Sequence, residues 1–165
     1  MLREMRLGDA EALREINAEQ LGYDVPLTVT VRQMKKLLKE PEKNFFLVYE
    51  DPTSKKAAGY VQAESYESIF SDPMFNIMAL AVSKHAEKRG IGKALMTGVE
   101  EEAKRRGISA IRLNSAEYRV EAHRFYERIG YHSDKMQKRF WKDIESSILT
   151  LPLKLSVSTV SRYFE

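Results

Sequence analysis

The sequence contains no cysteine, and several further absences narrow the class of protein. Without cysteine, disulfide bonds and thiol nucleophiles are excluded, and the sequence does not indicate whether the protein works in an oxidising or a reducing compartment. The three histidines lack the spacing of metal ligands, so we expect no metal site. No apolar run approaches membrane-spanning length, and the first residues lack the apolar core of a signal peptide. These absences predict a cytoplasmic protein with no membrane contact.

Excess charge of one sign is also lacking. The 27 Lys and Arg residues nearly balance the 24 Asp and Glu residues, which leaves a net charge of +3. So small an excess, with both signs interspersed, argues against a nucleic-acid partner. At 165 residues, 43% of them hydrophobic, the chain is long enough for one domain with a substantial core.

Patterns of strands and helices fill the first 143 residues. Asp9 is a candidate N-cap for the first helix, and Thr30–Gln33 has the form of a capping box for the second. In chain order the predicted elements are a strand at 2–6, helices at 10–21 and 30–40, strands at 45–49, 57–66 and 75–82, a helix at 91–106, a strand at 108–114, a helix at 120–129 and a strand at 137–143. This order predicts an α+β fold with about four helices and a mixed, largely antiparallel sheet that includes one parallel strand pair.

The end of the chain has the strongest alternation of all. Apolar residues occupy every odd position from 149 to 157, which indicates an extra C-terminal strand, and Pro152 confines it to a sheet edge. An isolated apolar edge would aggregate, so we expect this strand to pair with its own sheet or with a second copy in a homodimer. The alternative is an unstructured tail. We accordingly predict a domain at 1–143 and an extension at 144–165.

A glycine-containing loop at 87–94 joins a nearly unbroken apolar segment to an amphipathic helix. The segment Phe75–Val82 is typical of a central strand, and the helix begins at about Ile91. A strand, a glycine turn and a helix N-terminus present free backbone N–H groups and a positive dipole end to an anion. The loop therefore predicts a phosphate-bearing ligand.

Two common phosphate loops do not match this one. Lys93 has neither the spacing nor the following Ser or Thr of a nucleoside-triphosphate loop. The dinucleotide fingerprint needs a third small residue where Leu95 stands, and an acid about 20 residues further on that is missing here. By itself, Gly90-Ile91-Gly92 is as consistent with a tight turn before a helix as with a ligand site.

A second motif follows the loop and completes a pattern. The first motif is Glu87-Lys-Arg-Gly-Ile-Gly92, and the second is Ala122-His-Arg-Phe-Tyr-Glu-Arg-Ile-Gly-Tyr131. In sequence, order and separation they resemble the pyrophosphate loop, Arg/Gln-x-x-Gly-x-Gly/Ala, and the fourth-helix motif of the GNAT superfamily of acetyl-CoA-dependent acetyltransferases. The resemblance extends over residues 1 to about 143. It implies a GNAT-like sheet with a splayed parallel strand pair, and acetyl-CoA as cofactor.

The resemblance also implies which residues contact acetyl-CoA. Backbone groups near the end of the strand would bind pantetheine, and the loop would wrap the pyrophosphate with its N–H groups. The basic side chains of the loop either add charge there or are simply solvated. The implied cofactor-binding set is Leu80, Ala81, Val82, Glu87, Lys88, Arg89, Gly90, Ile91, Gly92, Lys93, Ala94, Asn114, Arg119, Ala122, Phe125 and Tyr126. Glu87 departs from the family pattern, so we expect weakened cofactor affinity.

A general acid is implied by the second motif. When an amine attacks a thioester, the amine must lose a proton and the departing thiolate must gain one. Tyr126 matches the family's acid, and a phenol pKa of about 10 against a thiol pKa of roughly 8.5 makes that transfer downhill. Alternatively Tyr126 only packs. Adjacent helical residues diverge by about 100°, so we expect Phe125 to face the core and Tyr126 to face a cleft.

The general base is less clearly marked. Relatives often carry Glu on the strand where this chain has Asn76 and Met78, neither of which accepts a proton. Glu64 on the preceding strand is our candidate base. The alternatives are Glu67 or Asp72 acting through water, or an amine that arrives deprotonated.

These residues together predict an N-acetyltransferase that acetylates a primary amine of a small molecule. Two-residue periodicity places Gln62 and Tyr66 on the strand face of Glu64, and the predicted acceptor-binding set is Tyr23, Gln62, Tyr66 and Asn76. The first alternative is a peptide or protein amine as acceptor. The second is a catalytically silent acyl-CoA-binding module, because positions 76 and 78 carry no acid.

Overall fold

The computed structural model describes residues 1–144, which fall into two units, Met1–His132 and a second that begins at Ser133. Among these residues, no helix combines the length and the apolar character needed to cross a bilayer.

One sheet and the helices on its two faces make up the first unit. The strands lie in the order β1-β2-β3-β4-β5, antiparallel throughout except for the parallel pair β4 and β5. The elements are β1 (Leu2–Glu4), α1 (Ala10–Ile16), α2 (Leu27–Leu37), β2 (Asn44–Glu50), β3 (Ala57–Ser68), β4 (Ser71–Val82), α3 (Ile91–Arg105), β5 (Ile111–Leu113) and α4 (Val120–Arg128). The predicted α+β fold with a mixed, largely antiparallel sheet is confirmed.

Each face of the sheet has its own core. On the first face, Val61 and Phe75 are completely buried with Leu95 of α3. On the second face, Tyr60 and Ala81 pack with α1 and α2, whose buried residues include Leu13. Each large side chain buried in this way contributes roughly 1.5–3 kcal/mol relative to an exposed one. We call these the α3 face and the α1 face.

A β-bulge at Met78 divides β4 into two parts. Gln62 pairs with Ala79, but the next residue of β3, Ala63, pairs with Ile77, so Met78 is an extra residue on β4. Side chains alternate along a strand, and one extra residue reverses the alternation. As a result, Asn76 and Ala79 both lie on the α1 face although three positions separate them.

Asp9 does not cap α1 as predicted, although α1 begins at the next residue. Its carboxylate accepts hydrogen bonds from the guanidinium of Arg3 at 2.7 and 2.9 Å and from the N–H of Arg6 at 2.8 Å. Burial by itself raises the pKa of Asp9, but these hydrogen bonds lower it on balance. The buried guanidinium of Arg3, which also binds Glu50, competes for the carboxylate more strongly than the helix amides do.

The predicted start of the second helix was wrong. α2 begins at Leu27, directly after Pro26, so Thr30 and Gln33 lie inside the helix and form no cap. A proline holds its φ near the helical value and lacks the N–H that a first turn leaves unpaired, which favours a start at this point.

The strand predicted at 137–143 was also wrong, because those residues have no strand structure. Phe140 and Trp141 are exposed, and their neighbours make local contacts instead. The guanidinium of Arg139 lies 4.7 Å from the Trp141 ring centroid, and the indole N–H donates to Asp143 at 2.9 Å. A short charged segment forms a strand only when a neighbouring strand pairs with its backbone N–H and C=O groups. The sequence pattern of the segment does not show whether such a neighbour exists. The strand predicted at 149–157 lies outside the described residues.

Candidate active site

The loop between β4 and α3 has the predicted order of strand, glycine turn and helix. Lys88 has a φ of +60° and Gly90 one of +76°, and α3 begins at Ile91. The first helical hydrogen bond runs from the N–H of Ala94 to the carbonyl oxygen of Gly90 at 3.0 Å. Within residues 1–144, the N–H groups of 88–93 donate to no protein acceptor. The loop can therefore offer backbone donors and a helix dipole to an anion.

The two glycines of the loop are required for different reasons. A Cβ on Gly90 would have nothing within 4 Å, so its positive φ is what favours glycine. A Cβ on Gly92 would lie 3.3 Å from Cζ of Phe125, so the aromatic ring restricts that position.

The charged side chains of the loop point in several directions. Arg89 pairs with Asp51 of the β2–β3 turn at 3.3 Å, although the guanidinium is half exposed. Hydrogen bonds from the backbone N–H groups of Ser54 and Thr53 hold the pKa of Asp51 below its usual value, which keeps it charged for this contact. Lys88 and Glu87 are exposed, and Ile91 is buried in the core, so only its backbone can reach a ligand.

β4 and β5 separate after a short parallel pairing. β5 pairs with Phe75–Ile77, and among the described residues no strand covers that side of the rest of β4. On its other side, the N–H of Ser83 donates to the carbonyl oxygen of Ala58 at 2.8 Å. Hydrogen-bonding direction alternates along an antiparallel strand, so the backbone groups of Leu80 and Val82 point into the gap between β4 and β5. The splayed parallel pair that the resemblance implied is present.

Other residues of the predicted cofactor set differ in how they face this gap. The same alternation turns the backbone of Ala81 toward β3 and away from the gap. Asn114 follows β5, and its side-chain oxygen accepts a hydrogen bond from Arg112 at 3.3 Å. Arg119 stands at the N-terminus of α4, and Ala122 is half buried on that helix.

Tyr126 and Phe125 both pack against the α3 face, contrary to the expectation that they diverge. Their rings meet edge to face with centroids 5.2 Å apart, and Tyr131 lies on the other side of Tyr126 at 6.1 Å. Two adjacent helical residues can pack against the same core when their aromatic rings contact each other edge to face. Burial raises the pKa of Tyr126, and the nearby charge of Arg119 only partly offsets this.

The base candidate pairs directly with the residue at the family's usual base position. Glu64 and Asn76 are opposite each other in β3 and β4, and the side-chain N–H of Asn76 donates to Glu64 at 3.1 Å. The side-chain oxygen of Asn76 is buried and accepts no hydrogen bond within the described chain. Both residues are half buried on the α1 face, where the cover of α1 and α2 ends.

A π-helical segment, Asn17–Leu21, follows α1 and was not predicted. The hydroxyl of Tyr60 donates to Asn17, and burial raises the pKa of Tyr60 to about 12 with a contribution from nearby Tyr23. Glu19 accepts a hydrogen bond from the N–H of Lys84 at 3.2 Å, which ties the segment to the turn after β4. Such segments occur frequently at functional sites, but a pattern with a period near 3.6 does not distinguish them from an ordinary helix.

A groove of about 310 Å³ lies elsewhere, between α3 and the end of α4. Of the predicted site it contains only Lys93, beside Glu100 and Arg128. Among the described residues, no three possible metal ligands come together.

The sequence profile of the Acetyltransferase (GNAT) family matches residues 10–131. The chain belongs to the GNAT acetyltransferase family. That family transfers an acyl group from acetyl-CoA, and the free loop amides and the open side of β4 fit such a cofactor. A comparison with curated proteins finds no match.

Solved structures share this GNAT fold over most of the chain. Glucosamine-6-phosphate N-acetyltransferase from Arabidopsis thaliana has a TM-score of 0.74 and 19% identity, with 87% of this chain and 98% of that one covered. A transcriptional regulator from Bacillus halodurans has a TM-score of 0.72 and 26% identity, with coverage of 85% and 99%. AAC(6')-Iy, in complex with the bisubstrate analogue CoA-S-monomethyl-acetylneamine, has a TM-score of 0.74 and 15% identity, with coverage of 87% and 98%.

Proposed function

We propose that the protein transfers the acetyl group of acetyl-CoA to a primary amine of a small molecule. The observation that carries the proposal is the pair of Glu64 and Asn76, which holds a carboxylate beside the point where β4 and β5 separate. The loop with its free amides lies at the far end of the same strand. A cofactor with its diphosphate at the loop could therefore extend along the gap and bring its thioester toward an amine at the carboxylate.

Glu64 is proposed as the base. When bound, acetyl-CoA supplies the thioester whose acetyl group is transferred. The hydrogen bond from Asn76 orients one oxygen of Glu64, and the other oxygen can accept a proton from the amine, directly or through water. The bulge is what allows Asn76 to reach Glu64 on the α1 face.

Tyr126 is proposed as the acid. Its burial raises the pKa of the phenol, so the hydroxyl stays protonated at neutral pH and can donate to a departing thiolate. No described residue accepts a hydrogen bond from that hydroxyl, which leaves it available for a ligand.

A small acceptor is supported by the names of structural neighbours. They include an enzyme for glucosamine 6-phosphate and an aminoglycoside 6'-N-acetyltransferase from Acinetobacter baumannii. These neighbours are under 20% identical to this chain, so they support a class of acceptor and not one compound. Acetylation of a peptide amine is the second candidate, and a silent acyl-CoA-binding module is the third.

Release of free thiol from acetyl-CoA, measured with polyamines, amino sugars, amino acids and peptides, tests the proposal. We expect turnover with a small amine and a loss of about 10²–10⁴-fold in kcat for Glu64→Gln and for Tyr126→Phe. Tyr118→Phe is the matched control for Tyr126→Phe because its side chain is exposed, and Glu67→Gln tests the alternative base. Full turnover by Tyr126→Phe would remove its acid role, and loss of turnover in Glu67→Gln alone would transfer the base role to Glu67.

Thermal unfolding with acetyl-CoA separates the silent module from an enzyme. Stabilisation by acetyl-CoA without thiol release for any amine would overturn the proposed reaction and favour a binding module.

A further inference from the structure

The α1 face carries a cation beside the proposed base. Arg112 of β5 pairs with Asn76 of β4, which in turn pairs with Glu64 of β3. Residues opposite each other share a face, so the three side chains form one row across three strands. Two strand spacings, roughly 10 Å, separate the backbones of Glu64 and Arg112.

The guanidinium of Arg112 is held over this row by an aromatic ring. It lies 4.6 Å from the ring centroid of Tyr66, which belongs to β3. Because β4 separates β5 from β3, the side chain of Arg112 must extend across β4 to reach that ring. A stacked guanidinium keeps its N–H groups free at its edge and loses less freedom when it binds an anion.

Most donors of Arg112 have no partner in the described part of the chain. One N–H donates to the side-chain oxygen of Asn114 at 3.3 Å. Within residues 1–144, no carboxylate lies within 4.0 Å of the guanidinium, and Glu64 forms no ion pair. A planar guanidinium with free donors matches the geometry of a carboxylate or a phosphate.

Asn76, in the middle of the row, has a side-chain oxygen that receives no hydrogen bond from the described residues. That oxygen is buried, while the side-chain N–H of Asn76 already binds Glu64. A buried acceptor without a partner is costly, and an amine N–H would satisfy it. The row therefore offers two oxygen acceptors followed by one cationic donor.

We propose that Arg112 selects acceptors that carry a carboxylate or a phosphate in addition to the amine. The amine binds beside the hydrogen-bonded pair of Glu64 and Asn76, and the acid group binds the guanidinium a few bonds away. This inference rests on the proposed transfer to a small amine, and it names the class of that amine.

Matched acceptor pairs test the inference through a ratio of kcat/KM. Each pair keeps the amine and removes only the acid: 4-aminobutanoate and 4-aminobutanamide, phosphoethanolamine and ethanolamine, and an amino sugar with and without its phosphate. We expect a preference of at least tenfold for the acidic member of one kind of pair, which corresponds to about 1.4 kcal/mol. The carboxylate and phosphate pairs distinguish the two anions.

Variants of Arg112 assign the preference to this side chain. In Arg112→Gln the ratio should fall to about one, mainly through KM, and Arg112→Lys should retain part of it. Because the ratio is taken within one preparation, partial unfolding does not change it. Arg105→Gln removes the same charge from the exposed end of α3 and should leave the ratio unchanged.

Each result decides the matter. A ratio near one in the unmodified protein overturns the inference and leaves the proposed function standing. A ratio that survives in Arg112→Gln shows that Arg112 does not read the acid group. Absence of turnover with every amine overturns the proposed function, and the inference falls with it.

Discussion

Replacing Gly92 by alanine tests whether packing or ligand approach requires a glycine in the loop. The new Cβ would lie 3.3 Å from Cζ and 3.4 Å from Cε2 of Phe125. Carbon atoms prefer about 3.5–4.0 Å, and overpacking costs about 1–3 kcal/mol. Alanine in a helix gains about 0.5–1 kcal/mol over glycine. We therefore expect Gly92→Ala to lower the free energy of unfolding by about 0–2.5 kcal/mol.

A second substitution removes the ring and isolates the contact. In the Phe125→Leu background the added methyl group has room, so the helix preference should dominate and Gly92→Ala should stabilise by about 0.5–1 kcal/mol. The two substitutions should then couple by about 1–3 kcal/mol. Urea denaturation followed by far-ultraviolet circular dichroism gives the four free energies, and unchanged m-values would show that two-state behaviour holds.

Equal effects of Gly92→Ala in both backgrounds would refute the packing explanation. Acetyl-CoA affinity, measured by calorimetry on the same four proteins, supplies the complementary result. If affinity falls by a similar factor with and without the Phe125 ring, close approach of the cofactor requires the glycine.

Three further predictions follow from the described contacts. Asp9→Asn should lower the free energy of unfolding by about 2–3 kcal/mol at pH 7, because Arg3 loses a charged partner. Folding lowers the pKa of Asp9, so the difference in stability should persist above the unfolded pKa of about 3.9 and vanish as the pH falls through the folded pKa. Urea denaturation over a range of pH measures this difference. Gly90→Ala should cost about 1–2 kcal/mol through its positive φ alone, and a loss well above that in denaturation would reveal a clash. Tyr60→Phe should cost about 0.5–1.5 kcal/mol by removing the hydrogen bond to Asn17, and no change in thermal stability would contradict that bond's contribution.

The loop and its flanking elements were predictable because local sequence determines them. The apolar segment of β4, the positive φ of Gly90 and the four-residue apolar spacing of α3 are consistent within a short window. The cap of α1 was not predictable in the same way. Asp9 is suited to cap a helix, but the buried Arg3 of β1 binds its carboxylate, and that competition depends on tertiary structure.

The candidate site was predictable only in part, because its members meet across strands. Two-residue periodicity placed Glu64 and Tyr66 on one face of β3, as the structure shows. Periodicity gave no register between β3, β4 and β5, so neither the bond from Asn76 nor the position of Arg112 could be inferred. The π-helical turn was missed for a similar reason, since its sequence continues the pattern of α1.

Because of the bulge at Met78, the number of residues in β4 determines which face of the sheet each side chain occupies. If Met78 were kept but the bulge were lost, uninterrupted alternation would turn Asn76 inward against α3 and expose Phe75 and Ile77 on the opposite side. Deletion of the Met78 codon would thus leave a regular strand with the same sidedness, whereas removal of two codons here would exchange a hydrophobic interior for a polar one. The bulge accommodates one surplus amino acid, so the apolar strand keeps its interior contacts and still presents an amide on the opposite face.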